Sequence, residues 1–243
     1  MRRVEGLSGA KLRMTLQRDA VARAAIQLLD QVGLDNLTMR RLATHLRIQN
    51  PSLYWHFENK RALLNCMTEI MVSDALADLR APQGGQDWAI WVADYARTLR
   101  RMMLAHRDGA RFFAAADLML IDPFVHRLDD AVGVLLEAGF DSRTALVSIV
   151  AILKYVLGGA FELQSNPARG LRHSSDRKAP AHPLGIDPER YPRLAGLLVA
   201  QGTPLAEAER SFEEGLGLIL NGMRADLHKT AALTTSVASR RRS

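Results

Sequence analysis

Between residues 16 and 228 the apolar side chains of this chain recur at three- and four-residue steps. Nowhere does alternation of apolar and polar residues persist long enough to make a strand, and no Asn-Gly or Asp-Gly turn stands between alternating runs. That period commits the chain to an all-α fold of nine or ten helices. Val21, Ala24, Ala25, Leu28 and Leu29 mark a first helix over 16–32, closed by Gly33. Thr38 is suited to cap a short second helix over 39–46, with Leu42 and Leu46 turned inward and Arg40, Arg41 and His45 outward. After a turn at 47–49, Asn50-Pro51 opens a third helix that is finished by about Phe57. Asn is a favoured N-cap, and proline is favoured at the first helical position because its missing N–H would be unpaired there. Asn59 can cap a fourth helix over 60–79, roughly 30 Å long at 1.5 Å per residue.

Further helices are expected over 87–105, 109–118, 123–138, 142–164, 192–201 and 204–228. Between the eighth and the last two lies a polar Pro- and Gly-rich stretch, 165–188, of the kind that forms a linker or a lid. The expected division is a basic, disordered extension over 1–14, a three-helix domain over 15–61, a larger helical domain over 62–228 and a disordered tail over 229–243.

Charge separates the first domain from the rest. Residues 1–61 hold eleven Lys or Arg against five acids, a surplus of six that equals the net charge of the whole chain. The remaining 182 residues balance at twenty-one of each sign. A basic module on a neutral body points to a polyanion such as nucleic acid. One cysteine, Cys66, excludes an intrachain disulfide and fits a reducing, cytoplasmic setting. The basic start is followed by no apolar core of a secretory signal. The longest apolar run, 145–163, could cross a bilayer by length, but Lys154 sits at its middle and Gly158-Gly159 follow; a buried interface helix is expected, and no membrane.

The stretch "NPSLYWHFENKRALL", 50–64, explains why a third helix should be so short. With the second helix it makes a helix-turn-helix, whose second helix enters the major groove end first and is built for hydrogen bonds rather than burial. Leu53 is its inward anchor. Asn50, Pro51, Ser52 and Tyr54 would approach base edges and nearby backbone; Asn can bond an adenine edge and Pro can touch a thymine methyl. Thr38, His56 and Lys60 would hold phosphates, and Arg40 a phosphate or a guanine edge. Three packed helices with a merely solvated polar exterior are the bland alternative.

The segment "LTMRRLATHLRIQNPSLYWHFENKRALL", 37–64, closely resembles the DNA-binding domain of the tetracycline-repressor (TetR) family. "HRDGA" at 106–110, "LEAGF" at 136–140 and "FEEGLGLILNGM" at 212–223 are similar to the C-terminal domain of the tetracycline-repressor branch. The resemblance implies a homodimer that represses transcription until a small molecule loosens its hold on a palindromic operator. It implies operator contacts at Arg40, Asn50, Pro51, Tyr54, His56 and Lys60, and pairing of helices 142–164 and 204–228 with their dimer mates.

The same resemblance exposes a departure. Classical tetracycline repressors hold a magnesium–drug chelate, with a histidine a few residues beyond the "RDGA" motif on the metal. Here Phe112 and Phe113 stand in that region, and Leu76, Tyr95 and Leu99 match positions that would grip the drug. Glu162 matches an acidic position, but one carboxylate is a poor magnesium site. No metal or cofactor is therefore expected. The expected effector is organic and mostly hydrophobic, in a pocket lined by Leu76, Trp88, Trp91, Tyr95, Leu99, Phe112, Phe113 and Phe161, with Glu162 at its edge.

Two other functions are open to such a chain. One is a helical DNA-binding regulator without an effector, controlled by a partner or by abundance. The other is an enzyme, for which the sequence offers no paired carboxylates, nucleophile motif, metal spacing or phosphate loop.

Overall fold

The computed structural model describes residues 3–79, 82, 87–165, 187, 189–193 and 204–240, with side chains in the outer helices from Arg18 onward and from Ala208 to Lys229. Among these residues there is no strand, and the order is α1 (Arg3–Val32), α2 (Met39–Leu46), α3 (Asn50–Tyr54), α4 (Lys60–Leu76), α5 (Trp88–Leu104), α6 (Gly109–Ala115), a 3-10 turn (Leu118–Leu120), α7 (Asp122–Glu137), α8 (Ser142–Ser165) and α9 (Pro204–Arg240). The all-α reading holds.

Helix starts follow local chemistry. Thr38 Oγ1 accepts from Arg41 N at 3.1 Å, and Asn59 Oδ1 accepts from Ala62 N at 2.9 Å. Asp87 Oδ1 accepts from Ala89 N at 2.9 Å. Each bond satisfies one of the amides that a helix start leaves without a partner. Gly33, at φ +78°, ends α1 with its N–H on Leu29 O at 2.8 Å.

Several boundaries differ from the sequence reading. α1 begins at Arg3, so helix runs through 3–14 where an extension without order was expected. α9 continues to Arg240, past the expected end at 228 and through most of the expected tail. Helical periodicity in apolar residues marks only the amphipathic part of a helix, so it understates helices that continue past that part. α3 ends at Tyr54 and is preceded by Gln49, so Asn50 is its first helical residue rather than its cap. α4 stops at Leu76, and α6 ends at Ala115 before the separate turn at Leu118–Leu120. The expected helix over 192–201 and the linker over 165–188 fall mostly outside the described residues.

One apolar cluster runs through both halves. Leu29, Leu37, Leu42, Leu53 and Phe57 fill the centre of α1–α3. α4 carries the cluster onward through Leu63, Met67, Met71 and Leu76 to Tyr95, Phe112, Phe124 and Ile152. α4 is thus the shared wall of the head and the body.

Candidate nucleic-acid interface and effector body

α3 reaches the surface because only Leu53 and the following Phe57 enter the core; both are fully buried. Around them Pro51 is exposed, Ser52 and His56 are half-buried, and Tyr54 is 50% exposed. Trp55, at 85% exposure, is the most open large hydrophobic side chain among those described. Trp55 is not among the expected contacts; a tryptophan directly after Tyr54, in a helix with only Leu53 expected inward, was the available signal. α2 adds exposed Thr38, Arg40 and Arg41 beside it, around a shallow hollow also edged by Asp35, Asn36 and Thr44. Of the expected contacts, Pro51, Ser52, Tyr54 and His56 are brought together on one outward surface, with Thr38 and Arg40 on the neighbouring helix.

Two of the expected contacts are differently disposed. Asn50 Oδ1 is buried without a hydrogen-bond partner, so that oxygen is turned away from the surface a base edge would reach. Lys60 Nζ donates to Leu34 O at 3.2 Å and is half-buried, so its first role in the free chain is to tie α4 to the α1–α2 turn.

That turn is also fastened to α6 and the residues before it. His106 Nδ1 lies 3.0 Å from Asp30, and Asp30 accepts from Arg107 N at 2.9 Å. Arg107 donates to Gln31 O at 3.1 Å, while Asp108 Oδ2 accepts from Leu34 N at 2.9 Å. Asp35 pairs with Arg111 at 2.8 Å, which holds the Asp35 carboxyl below the usual carboxylate range. A second tie joins Arg61 on α4 to Asp117, whose carboxyl is likewise lowered by the guanidinium, with Asn65 alongside. The "HRDGA" segment is therefore the seat of the head.

In the body, Leu76, Trp91, Tyr95, Leu99, Phe112 and Phe113 are all buried in the common cluster. Trp91 stacks on Tyr95 with centroids 5.6 Å apart, and burial pushes the Tyr95 hydroxyl up to about 12. Trp88 is half-buried and meets Phe140 edge-on at 5.0 Å. Phe161 and Glu162 lie on the exposed side of α8 and are not brought to the others. Gln164, absent from the sequence reading, joins three helices. Its amide nitrogen donates to Met103 O and His106 O at 2.9 and 2.8 Å, and its oxygen accepts from Ala110 N at 2.9 Å.

The donor set does not suit a magnesium–drug chelate. Hard cations take oxygen ligands, whereas α6 offers two buried phenyl rings here. Among the described residues no group of three or more His, Cys, Asp or Glu side chains converges.

A short polar helix, held out by a tight turn on a helical body of its own, defines a helix-turn-helix regulator. A model described as "Bacterial regulatory proteins, tetR family" matches residues 22–67, and one described as "Tetracyclin repressor-like, C-terminal domain" matches residues 81–227. The Escherichia coli tetracycline repressor protein class C is 36% identical over 208 residues, covering 86% of this chain and 90% of that protein. A possible TetR family regulator from Streptomyces coelicolor A3(2) superposes with a TM-score of 0.72 at 35% identity, over 86% of this chain and 98% of that one. The Streptomyces coelicolor TetR family protein ActR, in complex with actinorhodin, superposes at 0.69 with 28% identity, over 86% and 97%. The chain belongs to the TetR family of bacterial transcriptional regulators, and it is a DNA-binding protein of that kind.

Proposed function

We propose that the chain is a homodimeric repressor whose hold on a palindromic operator is released by a small, mostly hydrophobic molecule. The observation that carries the coupling is the row of bonds from Asp30, Leu34 and Asp35 to the 106–111 segment, since α6 also carries Phe112 and Phe113 into the aromatic core. A ligand that parts those rings moves α6, and the head is seated on its first turn. Release then requires that the ligand prefer the displaced arrangement, because only differential affinity shifts an equilibrium. The lining is apolar, so the effector is too. ActR with its bound actinorhodin supports a small-molecule ligand for a body of this shape.

The dimer follows from what α8 leaves open. Ala145, Ile149, Ile152, Val156 and Ala160 face the core, while Leu146, Val147 and Phe161 are exposed, as is Leu218 on α9. α8 is long and apolar enough to cross a membrane by composition. In a cytoplasmic DNA-binding protein, its open face is instead suited to α8 and α9 of a second copy, over 142–164 and 204–228. Twofold symmetry would set two heads on half-sites about one helical turn, roughly 34 Å, apart or a multiple of it.

The test uses a duplex selected by the full chain from a random pool. Tyr54→Ala, at a half-exposed site, should lose at least tenfold in affinity with an unchanged melting temperature. Apolar compounds that raise the melting temperature should also release the duplex. Full affinity in Tyr54→Ala would show that α3 is not the reading helix; stabilising compounds that leave the duplex bound would favour the effector-free regulator.

A further inference from the structure

We propose that residues 3–17 of α1 are a second DNA-contacting element, lying along the phosphates that flank the duplex read by α3. The inference rests on the head being a DNA reader, and it goes beyond it.

α1 is 30 residues long, about 45 Å. Its described buried residues begin only at Ala22, where the family match also begins. The earlier turns precede the part of the chain that the family match covers. They carry Arg3, Lys11 and Arg13 against the single acid Glu5. Half of the chain's surplus of positive charge is therefore found with Arg18 and this segment, while residues 62–243 are neutral on balance. A helix with such a surplus in a chain whose body has none is suited to a polyanion.

The place where this segment leaves the head is fixed. The Arg18 guanidinium stacks over the Phe57 ring, 5.2 Å from its centroid. Phe57 follows the exposed Tyr54 and Trp55 and the half-buried His56 in sequence, so Arg18 sits beside the end of α3. Lys11 is two helical turns before Arg18 and so shares its register along the helix. Arg3 is about 22 Å from Arg18 along the axis, the length of six or seven base pairs. Phosphates repeat along a duplex over the whole of that distance, so three cations at these positions add contacts without reading sequence.

The experiment compares the full chain with the full-length triple variant Arg3→Gln/Lys11→Gln/Arg13→Gln. The probe is the selected duplex, long (about 40 base pairs) and trimmed to the shortest length the variant still binds. On the long duplex the variant should bind about tenfold or more weakly, with a salt slope shallower by about 2–3 per chain. On the trimmed duplex the two should be alike. Equal affinity and slope on the long duplex overturn the proposal, as does an equal loss on both lengths. Binding of the wild type, but not the variant, to vesicles of anionic lipid, with DNA affinity unchanged, would assign the segment to a membrane surface instead. Failure of the wild type to select any duplex would strike the reading of the head itself, a separate result. Matched melting curves guard against a folding defect.

Discussion

At the scale of single residues, the turn of the helix-turn-helix carries a cost. Arg47 sits at φ 57°, in the left-handed region, and its N–H closes α2 on Ala43 O and Thr44 O. A non-glycine residue there is disfavoured by roughly 1–2 kcal/mol. Arg47→Gly should therefore stabilise the chain by about 1 kcal/mol, less glycine's extra unfolded-state entropy, as read by urea denaturation. A clear loss of stability would mean the arginine side chain holds the turn. The other non-glycine residue at positive φ among those described, Asp108, has visible compensation in its bond to Leu34 N. Cys66 makes a different point. It is buried, and desolvation pushes its thiol up to about 11. Since the thiolate is the reactive form, alkylation of the native chain should be slow and should accelerate with unfolding. Rapid native labelling would contradict the packing of α4 against α1.

Among elements, the closest approaches decide which helix positions tolerate change. A Cβ on Gly109 would stand 2.0 Å from Met103 O, a backbone atom that cannot swing aside. Gly109→Ala should thus open the α5–α6 corner that Gln164 bridges, costing about 2 kcal/mol or more by thermal melting. At Gly215 the obstacle is the Tyr155 hydroxyl, 2.1 Å away, which bonds Phe212 O at 3.0 Å. α9 is held to α5 by Arg97–Glu213 and Arg100–Glu209, and to the start of α5 by Arg224–Asp87. Arg100 is buried, stacks over Phe212 at 4.5 Å and leaves its Nε without a partner, while Glu209 faces water. Removing such a cation strands no buried charge. Arg100→Met should therefore be near neutral or stabilising, whereas Arg100→Ala should destabilise through lost packing. Equal losses in both would show that the ion pair outweighs the packing.

For the whole molecule, the ties between head and body include three carboxylate–guanidinium pairs, Arg23–Asp74, Arg111–Asp35 and Arg61–Asp117. Asp35, Asp74 and Asp117 each have a carboxyl lowered by its arginine partner. A lowered folded value stabilises at pH above the unfolded pKa, near 4, and the contribution disappears as pH falls through the folded value. Stability should be flat from about pH 5 to 8 and fall below about pH 4; Asp117→Asn should lessen that fall. A maximum in acid would contradict the pairing. Assembly has its own test. Leu218 is 74% exposed on α9 in the single chain, so Leu218→Glu should leave the fold intact yet yield a monomer by sedimentation. A dimer that survives unchanged would place the interface elsewhere.

Periodicity and caps were enough to place α2 and the start of α4, because Thr38 and Asn59 act on amides within a few residues of themselves, but not to set the bounds of α1 and α3. They also placed Leu42 and Leu53 inside and Arg40, Tyr54 and His56 outside or half-covered, since a short amphipathic helix has one side to bury. Tertiary packing decided what no local rule contains. It occupied Lys60 with Leu34, turned the Asn50 oxygen inward, set Phe161 and Glu162 on the open side of α8, and made Gln164 and Asp108 the fasteners of α6. Those outcomes depend on which surfaces meet across 26 to 74 residues of sequence, and a side chain's partner at that distance is fixed only when the helices have packed.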